Sequence, residues 1–213
     1  MDNHSIAFLF SNHRMPRNGD QYFPFRQNSD LFYFSGIEQE GTILVIEKEK
    51  SYLFIEQPDS RSSLWKGDKL GADQAEKLSG IENIRWSHQF DDITEKLLHS
   101  KKKVYLNTNE KLKASGVKSM DETYLEQFRN QYPFHTLLNL KPILAELRLR
   151  KEPEEIDAMQ KAIDITGKAL DRIFKTIKPG ISEKELEAEI AHEFMLHHSN
   201  GFAFEPIVAS GKN

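Results

Sequence analysis

The stretch Thr42-Ile43-Leu44-Val45-Ile46-Glu47-Lys48-Glu49-Lys50-Ser51-Tyr52-Leu53-Phe54-Ile55 decides the fold. Its first five residues are a continuous run rich in β-branched side chains. Such a run predicts a strand covered on both faces, because a strand with one wet face would alternate. The charged turn Glu47 to Lys50 connects it to Tyr52-Leu53-Phe54-Ile55, and so short a connection predicts an antiparallel hairpin.

Working outward, Ile6 to Phe10 reads as a buried strand, and Leu31 to Phe34 as another, ended by Ser35-Gly36. Downstream, Asp73 to Leu78 and Asp91 to Leu98 carry helical patterning, the latter with Ile93, Leu97 and Leu98 on one side. Ile84 to Trp86 and Val104 to Leu106 read as short strands between helices. Glu122 to Phe128 predicts a further helix, and Phe134 to Leu138 a strand after Pro133. Strands interleaved with helices predict a three-layer α/β domain with a mixed sheet and flanking helices over residues 1–139.

The character changes near residue 140. Leu140 to Arg148 reads as a short helix, and residues 140–152 as an interdomain connector. Pro153 stands where a helix tolerates proline, in its first turn, and Glu154 and Glu155 complement the positive end of the helix dipole. Ile156, Met159, Ile163, Leu170, Ile173, Phe174 and Ile177 follow at three- and four-residue spacing, a stripe read as core packing. Lys178-Pro179-Gly180 ends this helix, and Ser182-Glu183-Lys184-Glu185 has the capping-box pattern that starts the next. Leu186, Ile190 and Phe194 form its apolar face, Asn200-Gly201 is its predicted stop, and Phe202 to Ala209 reads as strand. A helix pair followed by a lone strand cannot close a core, so residues 153–213 read as the start of a truncated domain.

The composition removes several function classes. A net charge of -4 over 213 residues argues against a nucleic-acid partner, and Lys101-Lys102-Lys103 reads as the solvated start of a strand. With no cysteine there is no disulfide framework, thiolate zinc site or thiol nucleophile, which suits a cytoplasmic protein. The early apolar run Ile6 to Phe10 is too short for a secretory signal or a membrane span, so no membrane association is expected.

His192-Glu193-Phe194-Met195-Leu196-His197-His198 invites a zinc reading that its spacing defeats. A zincin helix needs histidines four apart, whereas five residues rotate the second imidazole by about 140°. Surface histidines are the better reading. No Gly-x-Ser-x-Gly elbow, Walker loop or dinucleotide fingerprint is present. Arg26 with Asp30 and Asp20 could form a binding cluster, although polar groups around a proline-containing loop more often satisfy its backbone. Trp65 precedes a glycine-containing loop and either packs on its own domain or presents a platform to another surface.

Phe23-Pro24-Phe25-Arg26-Gln27-Asn28-Ser29-Asp30-Leu31-Phe32-Tyr33-Phe34-Ser35-Gly36 resembles the signature of the Xaa-Pro aminopeptidase (aminopeptidase P) amino-terminal domain. The resemblance continues through Leu64-Trp65-Lys66-Gly67, Leu70-Gly71 and Glu146 to Ile156. Gly180, Glu185-Leu186-Glu187 and Ser210-Gly211-Lys212-Asn213 complete it. It implies a creatinase-type amino-terminal domain followed by an incomplete α+β pita-bread domain. It implies two divalent metals, manganese in this branch, held by two aspartates, a histidine and two glutamates. It also places those ligands and the catalytic histidine beyond Asn213, so that the chain alone would be inactive.

For the intact protein the resemblance implies a metal-bridging hydroxide that attacks the carbonyl preceding proline. The substrate is then a peptide with proline at its second position, and the assembly a homo-dimer or homo-tetramer. The position of Trp65 is implied to touch the active-site region of a neighbouring subunit, and Asp20 is assigned to the same substrate-binding network. Relatives of this kind also include non-catalytic peptide- or protein-binding members and prolidase-type dipeptidases. The Arg26-Gln27-Asn28-Ser29-Asp30 sequence favours aminopeptidase P over the latter.

Overall fold

The computed structural model describes residues 1–58, 69–108 and 118–211, and the chain divides into two compact units, Met1–Leu147 and Arg148–Asn213. In the first unit the described elements are β1 (Ser5–Phe10), β2 (Pro16–Asn18), β3 (Gln21–Tyr22), α1 (Ser29–Ser35), β4 (Ile43–Ile46) and β5 (Ser51–Ile55). They continue as α2 (Ala72–Ser79), β6 (Asn83–Trp86), a 3-10 turn (Ser87–Gln89), α3 (Phe90–Leu98), β7 (Lys103–Leu106), α4 (Met120–Gln131), β8 (Thr136–Asn139) and α5 (Lys141–Leu149).

Six strands form one sheet in the order β6-β5-β4-β1-β7-β8. The hairpin is antiparallel as its short turn requires, with Ile46 opposite Ser51 and the Glu47 N–H donating to the Lys50 carbonyl at 2.8 Å. β4 is antiparallel to both its neighbours, and the remaining pairs are parallel. Five strands therefore run the same way and end on one edge.

Side-chain alternation sends successive β1 residues into two different cores. Ile6, Phe8 and Phe10 meet Phe90 and Leu98 of α3 and Phe128 of α4. Ala7 and Leu9 meet Leu31 of α1, Ala75 of α2 and Leu144 of α5. All six β1 residues are buried, and a Phe, Leu or Ile so covered contributes roughly 1.5–3 kcal/mol. The first core is aromatic: Phe8 lies 4.9 Å from Phe128, and Phe10 stacks on Tyr124 at 3.7 Å.

Two of the three consecutive lysines are engaged within the fold. Lys101 Nζ lies 2.6 Å from Glu47 and donates to the Asn3 carbonyl at 3.1 Å, and Lys103 pairs with Asp2 at 2.9 Å.

The predicted strand Leu31 to Phe34 is instead the body of α1. Asn28 decides this: its Oδ1 accepts from the Asp30 and Leu31 amides at 3.0 and 3.2 Å, which nucleates a helix. Gly36 then closes it in the left-handed conformation at φ 65°, donating its N–H to the Phe32 carbonyl. A four-residue apolar run cannot by itself separate strand from helix. The last strand of the unit starts at Thr136, later than expected, and leaves Phe134 fully exposed.

The second unit contains α6 (Pro153–Thr176) and α7 (Glu183–Leu196), which pack together. Pro153 occupies the first turn of α6, and the Glu152 N–H donates to Glu155 Oε2 at 2.9 Å. The capping box of α7 forms reciprocally: the Glu185 N–H donates to Ser182 Oγ at 3.2 Å, and the Ser182 N–H to Glu185 Oε2 at 2.9 Å.

Three readings of this unit are corrected. α7 ends at Leu196 with His197 as its cap, before Asn200-Gly201. Phe202 to Ala209 forms no strand and runs as irregular chain held to α7 by its flanks, Phe202 against Phe194 and the Ser210 N–H on Glu183. The α6 stripe is not a buried core here. Ile163 is 62% and Phe174 73% exposed, and Ala169 is the buried hydrophobic residue of the pair. Two helices expose more apolar surface than they can cover on each other.

Candidate functional site

The signature loop lies at the edge where the five parallel strands end, and its polar side chains hold its own backbone. Gln27 is its hub. Its Oε1 accepts from the Asn28 amide at 2.9 Å and the Asn12 amide at 3.3 Å, while its Nε2 donates to the Gln39 and Ile37 carbonyls at 2.9 and 3.2 Å. Asp30, buried at the start of α1, accepts through Oδ2 from Asn107 Nδ2 at 2.8 Å. Asn107 follows β7 and is fully buried, so this bond fastens α1 to the carboxyl end of the parallel strands.

The trio Arg26, Asp30 and Asp20 is not one cluster. Asp30 is built into the loop. Asp20 stands exposed in the Gly19-Asp20 turn of the β2–β3 hairpin and makes no hydrogen bond or ion pair with the other two among the described residues. Gly19, at φ 56°, supplies the positive dihedral that this turn needs. The Arg26 carbonyl accepts from Asn12 Nδ2 at 3.1 Å, and its side chain lines a cavity of about 200 Å³ with His13, Phe23 and Lys118. Trp65 lies outside the described residues.

Neither Gln27 nor Asn107 is singled out by its residue type as a fold-holding group. The one legible signal is placement, since Asn107 directly follows the strand-like Val104-Tyr105-Leu106.

In the second unit one histidine, His197, stands at the end of an ion-pair ladder. Arg172 of α6 pairs through Nε with Glu189, and its Nη1 lies 3.6 Å from Glu193 of α7. Glu193 in turn lies 3.2 Å from His197 Nε2. His192 is exposed. The α6–α7 pair and the segment Gly201 to Val208 enclose a cavity of about 680 Å³, walled by Ile165, Ile190, Phe194, Phe202 and Ile207. Phe194 and Phe202 meet at 5.2 Å, and the Ser210 N–H returns the segment to Glu183 at 2.8 Å. Among the described residues no group of three or more histidine, aspartate or glutamate side chains is placed to hold a metal ion. None of their helices is long and apolar enough to cross a membrane.

A mixed sheet between helices, followed by a long helix pair, is the arrangement that known relatives share. Residues 1–105 match the family described as aminopeptidase P, N-terminal domain, and residues 157–213 match metallopeptidase family M24. The Xaa-Pro aminopeptidase of Escherichia coli is 31% identical over 98% of this chain and 49% of its own length. That of Haemophilus influenzae is 29% identical over 100% of this chain and 48% of its own. The chain thus spans about half the length of these relatives.

Among solved structures, one assigned to aminopeptidase P from Bacillus anthracis superposes with a TM-score of 0.85 at 27% identity, over 92% of this chain and 48% of that one. Escherichia coli aminopeptidase P with the inhibitor Pro-Leu gives 0.78 at 31%, over 92% and 46%. These matches define a metallopeptidase fold of the M24 class. Within it, the chain belongs to the aminopeptidase P family, covering the amino-terminal domain and the start of the pita-bread domain.

The M24 family implies use of divalent metal. The described residues do not fit that group, since they assemble no ligand set. No chemical step through a metal is therefore assigned to this chain's side chains.

Proposed function

We propose that the intact protein is a manganese-dependent Xaa-Pro aminopeptidase that releases the residue preceding proline from the amino terminus of peptides. What carries this reading is the order of two matches along one chain, the aminopeptidase P domain over residues 1–105 and the M24 domain from residue 157. Relatives 29–31% identical over nearly the whole chain support it. In this reading residues 1–139 form the amino-terminal domain, 140–152 the connector and 153–213 the start of the catalytic domain. The two metals are held by residues other than those described here. Asp20 and Trp65 are proposed to contact peptide substrate, Asp20 from an exposed hairpin turn. A homo-dimer or homo-tetramer and a cytoplasmic location complete the proposal, the latter because a cysteine-free chain suits a reducing compartment.

The test is release of the first residue from an Xaa-Pro tripeptide by the full-length gene product, with and without manganese. Manganese-dependent release is expected, with none from the purified 213-residue chain. A full-length protein that cleaves only Xaa-Pro dipeptides would be a prolidase, and one that cleaves neither would be a binding member of the fold. Either result overturns the reading, and turnover by the 213-residue chain would overturn the assignment of the metals. Loss of affinity for a bound peptide in Asp20→Ala and Trp65→Ala is expected, and unchanged affinity would remove both residues from the site.

A further inference from the structure

The helix α6 repeats itself every seven residues. Ile156–Ala162, Ile163–Ala169 and Leu170–Thr176 each open on Ile or Leu followed by Asp, each carry Lys in sixth place, and Ile177 begins a fourth round. An apolar position that recurs at this period forms a seam along the helix that a second helix can follow. The seam is not the side that α7 takes. Contacts with α7 fall on the third and seventh places, where Ala169 is buried, Arg172 pairs with Glu189, and Ala162 and Ile165 share a cavity with Ile190 and Phe194. The first place lies roughly 120–160° around the helix from those. There Ile156, Ile163, Leu170 and Ile177 are each about half exposed or more.

Two further observations bear on what the seam meets. The repeated charges share one flank of it, Asp in second place and Lys in sixth. All six are exposed, and none makes an ion pair among the described residues. Turned end over end on itself, the repeat sets Ile156 against Ile177 and Ile163 against Leu170 of a second copy. The same register brings Asp157, Asp164 and Asp171 beside Lys175, Lys168 and Lys161 of that copy. A parallel pairing in register would instead set aspartate against aspartate and lysine against lysine. The second observation is Gly167, which stands at the middle of the seam. An added Cβ there would meet nothing within 4 Å, so this chain's own packing does not call for a residue that weakens a helix interior. A missing side chain at a crossing point lets two helix backbones come close.

We propose that this seam binds a second copy of the chain, the two α6 helices packing antiparallel and crossing near Gly167. The apolar residues supply the attraction, and the Asp and Lys rows set the orientation, since exposed ion pairs choose partners more than they add affinity. A seam about 32 Å long buries on the order of 1,000 Å² over both copies, the low end for specific interfaces. Association is therefore weak, with a Kd of roughly 10–100 μM. A chain held well below that concentration keeps the seam in water. The proposal names a surface for the homo-oligomer proposed above and does not depend on peptidase activity, so the tripeptide assay and the association measurement can fail separately.

The test is sedimentation equilibrium of the 213-residue chain, with a monomer expected at about 1 μM and a dimer at about 500 μM. Ile163→Lys is expected to weaken association at least about tenfold while leaving the far-ultraviolet helix signal unchanged. Asp164→Lys and Lys168→Asp should each weaken it, and the two together should restore it. The chain has no cysteine, so single cysteines report the orientation directly. Ile163→Cys mixed with Leu170→Cys should form a disulfide-linked pair faster than either variant links to itself. A monomer at every concentration, a dimer indifferent to Ile163→Lys, no rescue by the charge swap, or preferential self-linking of Ile163→Cys would each overturn the proposal. A monomeric full-length gene product whose Ile163→Cys thiol is closed to a maleimide would give the seam to another stretch of the same polypeptide, and would overturn it too.

Discussion

The two units use similar amphipathic patterning and reach different ends. In Met1–Leu147 both faces of the sheet are covered by helices, and Phe8, Leu9 and Phe54 are removed from solvent entirely. In Arg148–Asn213 two helices pack on each other while Ile156, Ile163, Leu170 and Phe174 remain about half or more exposed. Spacing at three and four residues fixes which side of a helix is apolar. It does not determine whether anything covers that side, which is a property of the surrounding layers.

The largest expected effect separates the two units directly. Phe8→Ala should cost about 3–5 kcal/mol in urea unfolding, because it empties the middle of a closed aromatic core. Ile163→Ala, at an exposed helix position, should change stability by no more than about 0.5 kcal/mol, with alanine's helix propensity opposing the lost burial. A cost above 1 kcal/mol for Ile163→Ala would break the comparison, since it would mean that the face is covered in solution by self-association.

Next is Asp30→Ala, which should cost about 1.5–3 kcal/mol by leaving the buried Asn107 amide without its carboxylate. A cost near zero in the same unfolding measurement would remove the signature loop from the scaffold. Smaller again are the helix caps. Asn28→Ala and Ser182→Ala should each cost about 1 kcal/mol or less, read by thermal melting. The first should lower the melting of the whole first unit, and the second should only fray α7, visible as loss of far-ultraviolet helix signal.

The smallest effect is a pH effect at the start of the chain. Hydrogen bonds from the Ser5 hydroxyl and then from Lys103 hold the Asp2 carboxyl below its ordinary value of 3.8. A folded-state pKa below the unfolded one gives stability that is present above pH 3.8 and is lost as pH falls through the folded value. Acid titration followed at the Ser5 and Lys103 amides should therefore show the tether holding until pH drops below the usual carboxylate range. Asp2→Asn should abolish that dependence.

Much of the first unit was legible because its signals were local. The Thr42 to Ile46 run, the charged turn and the hairpin partner specify one another within fourteen residues. Leu31 to Phe34 was misread because an apolar tetrad fits either element, and the deciding atom belonged to Asn28, a side chain outside the run. In the candidate site, Asp20 was visible as an acidic residue, but its place in a hairpin turn depends on the pairing of β2 with β3. Gln27 and Asn107 were not legible as fold-holding groups, because apart from the adjacent Asn28 amide their partners lie ten to seventy-seven residues away.

By itself the sequence determined most of the element types, the proline in the first turn of α6, the Ser182 capping box of α7 and the family resemblance, all carried by spacing over a few residues. Tertiary structure alone decided three things: that β4 also runs against β1, that the Asp30 carboxylate spans to the end of β7, and that Ile163 and Phe174 of the α6 stripe are exposed. The physical reason is range. A cap or a turn is satisfied by backbone groups within reach of one side chain, whereas burial and strand direction depend on every layer that packs against them.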